Sequence, residues 1–274
     1  MKNVFVLMPL LFSGRVLVPS AVGRTAIAVA CFCLLSSAVY CLNDVVDAGP
    51  DSRHPRKSRR PIPSKRVSVR SALILSAVLA ACGLGIGAVL LPGRFVLFAA
   101  LYMANSLAYC LFLKYRVIVD VMSIAIGFVF RLIAGCVVIG VVPSSWILLC
   151  GFSLALLLGF GKRRLEYTQL ESATEYRETL QSYSCEKIDI LLSATSALCL
   201  LSYALYTTAP ETIRVHRTEN LIYTIPPVFY GVFRYIFKIQ EGRHDGPVEV
   251  LLKDRVFLLD GLLWVAMSAA ILYL

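Results

Sequence analysis

Asn43, Asp44, Asp47 and Asp51 stand where a long apolar run ends, and their spacing of three and four residues puts the carboxylates on one helical face. Such a cluster is costly beside hydrocarbon unless it faces a cavity and holds cations. Mg2+ takes oxygen ligands, commonly a carboxylate or two completed by substrate phosphate oxygens. Asp44, Asp47 and Asp51 are therefore the candidate metal ligands. Gly49-Pro50 disfavours regular helix just before the proline, so Asp51 is expected just past the helix end. A dense basic run follows: Arg53, Arg56, Lys57, Arg59, Arg60, Lys65 and Arg66. Acid followed by base in one loop describes a meeting point for Mg2+ and a polyanionic phosphate. A solvated Asp-rich turn is the plainer reading of the carboxylates, and the neighbouring lipid and cations speak against it. Contact with anionic lipid headgroups is the plainer reading of the basic run. Pro55 and Pro61 stiffen the loop between them and favour Lys57 and Arg60 as the pair reaching substrate phosphate.

Further along, Tyr109 and Lys114 close one apolar segment and Asp120 opens the next. Lys114 is either a snorkelling interfacial lysine or a site cation. Arg131 lies near the middle of an apolar run, where a guanidinium faces the bundle interior and needs an anionic partner, a carboxylate or a bound anion. A second polar loop carries Lys162, Arg163, Arg164, Arg177 and Tyr183 and no aspartate from 162 to 186. Lys162 and Glu166 are spaced for an ordinary helix-surface pair.

The elements that must position these groups are membrane helices. Of 274 residues, 58% are hydrophobic and 16% charged, and the mean hydropathy is +0.75. A soluble domain would carry roughly a quarter charged residues. Apolar runs recur along the whole chain, which excludes a soluble core with a single anchor. Spans are expected at 21–42, 69–91, 94–113, 117–141, 145–161, 187–208, 219–238 and 256–274, each near the ~20 residues needed to cross. Val4–Phe12 is read as a clipped first helix rather than a signal peptide, giving about nine transmembrane helices in one all-α domain, 1–274. Alternating the loops concentrates Lys and Arg on the side holding residues 43–68, which predicts a cytoplasmic active-site face. The net charge of +10 is thus a statement of topology first. Most of the nine cysteines lie in or beside apolar spans and behave as small hydrophobes. With the histidines scattered and no CxxC, a zinc site is not expected.

These residues resemble the UbiA-type membrane prenyltransferase superfamily. Its N-D-x-x-D-x-x-x-D hallmark is matched at Asn43, Asp44, Asp47 and Asp51. Asp51-Ser52-Arg53-His54-Pro55, Arg60-Pro61-Ile62, Ala108-Tyr109, Leu113-Lys114, Asp120, Gly127-Phe128, Arg131, Gly161-Lys162-Arg163 and Asp254-Arg255 resemble its decaprenyl-phosphate phosphoribosyltransferase branch. Two departures stand out. Only Lys2-Asn3 remain of an N-terminal Arg-Pro-x-x-Trp-x-Lys-Asn element. Lys162-Arg163-Arg164 stand where the aromatic-substrate branch has a second Asp motif. The resemblance implies a UbiA-like helical bundle in a bacterial cytoplasmic membrane. The implied reaction is Mg2+-dependent transfer of 5-phosphoribosyl from phosphoribosyl diphosphate to a polyprenyl phosphate, for cell-envelope glycan precursors. It implies no nucleic-acid partner and leaves room for an oligomer. It places Asp44, Asp47, Arg131 and Lys114 in catalysis. Asn43, Lys57, Arg60, Tyr109, Lys162, Arg163, Arg177 and Tyr183 would bind substrate. Two alternatives remain: a prenyltransferase using a polyprenyl diphosphate and an aromatic acceptor, and a cation-coupled transporter.

Overall fold

The computed structural model describes residues 2–53, 57–169, 182–242 and 246–273. The described residues are helices and connecting turns, and seven helices are long and apolar enough to cross a membrane. The described residues divide into two compact units, one within 2–143 and one within 144–273.

The first unit opens with a 3-10 turn, Lys2–Val6, and the short α1, Met8–Phe12. Neither is long enough to cross, so this segment does not supply the expected first span. It packs instead on the long helices. Gly135 lets the chain approach so closely that a Cβ there would sit 2.5 Å from the Val6 carbonyl. Helix α2, Pro19–Val46, starts at a proline whose missing N–H costs nothing in a first turn. Its 28 residues reach about 42 Å at 1.5 Å per residue, against ~30 Å of hydrocarbon. The last turns, which bear Asn43 and Asp44, can therefore stand outside the apolar layer. Helix α3, Ala48–Arg53, resumes at once, and the Asp51 N–H donates to the Asp47 carbonyl at 2.8 Å. The expected helix end before Asp51 is corrected: Pro50 falls in the first turn of α3, where no intrahelical donor is required.

Helices α4, Val69–Leu90, α5, Gly93–Leu111, and α6, Val119–Val138, complete this unit. Phe32, Leu35, Phe95, Ala99 and Ala134 form its dry centre. Gly87 meets the Phe95 ring so closely that a Cβ would lie 2.6 Å from it, the small-residue packing by which helices associate in lipid.

The second unit comprises α7, Ser145–Gln169, α8, Cys185–Thr208, α9, Pro210–His216, α10, Ile225–Gln240, α11, Pro247–Lys253, and α12, Arg255–Tyr273. Helix α7 runs past the expected end at 161, so Lys162, Arg163 and Arg164 lie on a helix rather than in a loop. The expected span 219–238 is replaced by a 3-10 turn, Asn220–Thr224, and the 16-residue α10. These two short segments account for seven long apolar helices where about nine were expected. Two polar fasteners hold this unit. The Tyr203 hydroxyl lies 2.7 Å from Thr224 Oγ1 and accepts from Trp264 Nε1 at 2.8 Å. Arg234 grips Asp254 with two nitrogens, at 3.0 and 2.9 Å.

Candidate active site

The carboxylate face belongs to the first unit. Asn43 Nδ2 donates to Asp47 Oδ2 at 2.9 Å, one helical turn on. Arg60 reaches back over α2 and α3, and its Nη1 donates to Asp44 Oδ1 at 2.8 Å and to Asp51 Oδ2 at 2.9 Å. Two carboxylates from successive helices thus converge on one cationic nitrogen. Asp47 carries a second cation, Lys114 Nζ, on its Oδ1. Lys114 comes from a 3-10 turn, Leu113–Tyr115, between α5 and α6. Its side chain is only 8% exposed, against 40% for Arg60. Burial would lower the pKa of the Lys114 ammonium, but the bond and charge of Asp47 override it and the pKa is raised. The snorkelling reading of Lys114 does not describe this geometry. The next turn carries Ile118 at a φ of 68°. A β-branched residue there is strained, and strain of this kind gathers where a neighbouring side chain must be held in place.

Arg131 is enclosed rather than ion-paired. Its Nε donates to Asn3 Oδ1 at 3.0 Å and its Nη1 to the Gly127 carbonyl at 3.0 Å. Its Nη2 donates to Ser36 Oγ at 3.2 Å and to the Tyr102 hydroxyl at 3.0 Å. The guanidinium lies 4.3 Å from the Tyr102 ring centroid and 5.4 Å from that of Phe128. The anionic partner expected from sequence is replaced, among the described residues, by neutral oxygens and aromatic faces, which compensate a buried guanidinium in the same way. Tyr109 is half-buried on α5, and Asp120 is fully buried at the start of α6.

In the second unit, Arg163 is fully buried and donates to Glu166 Oε2 at 2.5 Å. Arg164 donates to both carboxylate oxygens of Asp189, at 2.9 and 3.4 Å. The cation cluster expected at 162–164 is thus largely committed to carboxylates, because the run lies on a helix with acids one turn away and on α8. Lys162 stays half-exposed, 3.7 Å from Glu166. Tyr183 is buried just before α8. Lys57 lies on the 3-10 turn Lys57–Arg59, and Arg177 falls outside the described residues.

The donor set suits Mg2+, since Asp44, Asp47, Asp51 and Asn43 all offer hard oxygens. Two of those oxygens already converge on a positive centre, and Arg60 Nη1 stands where a shared cation would. Among the described residues no group of three acids, histidines or cysteines stands at metal-binding spacing. Arg60 and Lys114, held on the carboxylates, explain that spacing. Sequence reasoning missed Asn3, Ser36 and Tyr102 as partners of Arg131. The available signal was the polar stripe Ser36, Tyr40, Asn43 at helical spacing within an apolar run.

The profile of the UbiA prenyltransferase family matches residues 4–171. The chain belongs to the UbiA prenyltransferase family. It is accordingly a transferase and an integral membrane protein. It is 29% identical over 257 residues to a decaprenyl-phosphate phosphoribosyltransferase of Mycolicibacterium smegmatis, covering 91% of this chain and 80% of that one. A decaprenyl-phosphate phosphoribosyltransferase of Corynebacterium glutamicum is 29% identical over 271 residues, covering 96% and 81%. A solved UbiA homolog from Archaeoglobus fulgidus, bound to GPP and Mg2+, superposes with a TM-score of 0.71 at 19% identity, covering all of both chains. At that identity the likeness establishes the UbiA fold.

Proposed function

We propose that this UbiA-family transferase moves a 5-phosphoribosyl group from phosphoribosyl diphosphate to a polyprenyl phosphate and releases diphosphate. The observation that carries the reading is the convergence of Asp44 and Asp51 on one cation, with Asp47 bound to a buried lysine beside them. The extended similarity to two phosphoribosyltransferases supports a phosphoribosyl substrate class for that site. Bound by Asp44, Asp47 and Asp51, Mg2+ would supply charge neutralisation of the leaving diphosphate as the anomeric C–O bond breaks.

The remaining work falls to the chain itself. Asn43 and Lys114 each hold one oxygen of Asp47 and so fix its orientation. Arg60, the most exposed cation at the site, is free to turn from carboxylate to substrate phosphate, a bidentate partner suited to a guanidinium. Arg131 is a positioning residue: it fastens the N-terminal turn to α2, α5 and α6 through Asn3, Ser36 and Tyr102. The acceptor is already an anionic phosphate, so no strong base is required. Catalysis would rest mainly on placing two anions and neutralising the leaving group. The excess of Lys and Arg on its loops supports a cytoplasmic location for this face.

Membranes carrying the wild type, supplied with Mg2+, polyprenyl phosphate and radiolabelled phosphoribosyl diphosphate, should transfer label into the organic phase. Asp47→Asn and a chelator should each abolish it. An active, folded preparation that leaves the lipid unlabelled would refute the reading.

A further inference from the structure

The basic run following the carboxylates divides into two populations. Arg60 turns inward to Asp44 and Asp51. Arg59, Lys65, Arg66 and Arg70 all point outward and are exposed. Among the described residues the side chains of these four make no hydrogen bond or ion pair. Cations this close in sequence repel one another and build a positive patch that attracts anions from outside the chain.

The segment that presents them is ordered. Ile62 is buried as an anchor. The N–H groups of Ser64, Lys65 and Val67 donate to the carbonyls of Arg60, Ile62 and Pro61 at 3.0, 2.9 and 3.0 Å. Lys65 takes a left-handed conformation, φ 61°, to complete the turn. Ser68 then caps α4, its Oγ accepting from the Ser71 N–H at 3.1 Å. The positive end of a 22-residue helix is thereby added to the four side chains.

What lies beside this patch identifies its partner. Val67 and Val69 are exposed among the cations, at 38% and 47%. The wall of α4 continues with Ile74, Leu75 and Val78, all about half exposed in the isolated chain. That wall faces lipid tails once the helix spans a bilayer. A group seated on the patch therefore sits at the depth of lipid phosphates, with its apolar part along α4. We propose that Arg59, Lys65, Arg66 and Arg70 form a docking surface for the headgroup of an anionic phospholipid of the surrounding bilayer. This lipid is neither donor nor acceptor of the transfer reaction. It neutralises the unpaired cations and holds the turn that follows Arg60 against the membrane surface.

The test is native mass spectrometry of the detergent-purified protein given equal phosphatidylglycerol and phosphatidylcholine. The wild type should retain phosphatidylglycerol adducts selectively. The R59Q/K65Q/R66Q/R70Q variant should lose that selectivity by about tenfold or more. R59K/R66K/R70K should keep it, which separates charge from misfolding. R24Q/R94Q, with two other exposed arginines neutralised, should keep it too. Equal loss in R24Q/R94Q, or adducts that survive the fourfold substitution, would overturn the proposal. Displacement of the lipid by millimolar inorganic phosphate or phosphoribosyl diphosphate would also overturn it, by assigning the patch to a soluble anion.

Discussion

Replacing Arg60 tests the central electrostatic argument, because its guanidinium would compete with a metal for the oxygens of Asp44 and Asp51. Arg60 Nη1 lies 2.8 Å from Asp44 Oδ1 and 2.9 Å from Asp51 Oδ2. Asp44 and Asp51 would hold Mg2+ through oxygens that Arg60 now occupies, so metal binding there would require Arg60 to leave. The cost of that departure is bounded by exposure. The Arg60 side chain is 40% exposed, and solvent screening limits each contact to about 0.5–1 kcal/mol. Two contacts give about 1–2 kcal/mol, which corresponds to roughly a five- to thirtyfold change in affinity. Arg60→Gln should therefore bind Mg2+ roughly five- to thirtyfold more tightly than wild type when no substrate is present. Isothermal titration calorimetry in detergent measures this directly. Arg59→Gln is the control, since it removes the same charge from the adjacent, outward-facing position and should change the affinity less than about twofold. With substrate and metal present the order reverses: Arg60→Gln should transfer more slowly, having lost a phosphate ligand. Unchanged or weaker Mg2+ binding by Arg60→Gln, or equal tightening by Arg59→Gln, refutes the idea that Arg60 stands in for the metal.

Lys114→Met should destabilise the protein by about 2 kcal/mol in thermal unfolding, since Asp47 is left without its cation in a partly buried site. Because the folded pKa of Lys114 is raised above the ordinary lysine value, its contribution is fully present below that value and is lost only as pH rises through the folded pKa. The difference from wild type should thus stay constant between about pH 7 and 9. Arg131→Met removes the donor shared by Asn3, Ser36 and Tyr102 and leaves only the longer bonds among them, at a cost of about 2–4 kcal/mol. Hydrogen exchange should rise chiefly over residues 2–12, and uniform deprotection would contradict the fastening role. Burial would raise the pKa of Asp254, but the Phe257 N–H and the Arg234 guanidinium outweigh it and hold the carboxyl below its usual value. Its contribution is present above the ordinary aspartate value and is lost as pH falls through the folded pKa. The stability gap between wild type and Asp254→Asn should therefore close on acidification below about pH 4.

The long helices were legible because hydrophobic runs in a membrane protein are set by bilayer thickness, not by a fragile balance of propensities. The ends of α4, α5 and α8 fall within two residues of the hydropathy breaks. Two of the failures concern where a helix ends, and in the first of them charge did not end it. Lys162, Arg163 and Arg164 look like the start of a loop, yet Glu166 and Asp189 stand where a continuing helix can pair two of them. Pro50 likewise looks like a stop, and a first-turn proline is not one. The carboxylate face itself was readable from spacing alone. The partners of Arg131 were not, since Asn3 lies 128 residues away in sequence and only the tertiary fold brings it there.

The cations of the first unit also differ in how replaceable they are, and exposure ranks them. Arg131, 4% exposed, has neutral acceptors and aromatic faces that no ligand at the carboxylates would disturb, so it belongs to the frame. Lys114, at 8%, is tied to one oxygen of Asp47 from the turn just before the left-handed Ile118, and leaving Asp47 without it would strand a partly buried carboxylate. Arg60, at 40%, bridges two carboxylates from a solvent-reaching position and loses little by moving. A site that must accept a dication and a diphosphate together needs one cation that yields, one that holds a ligand carboxylate in orientation, and one that fixes the helices. These three residues meet those requirements in the order of their burial. On the proposed reaction, Arg60 would be the point at which metal and substrate binding are coupled.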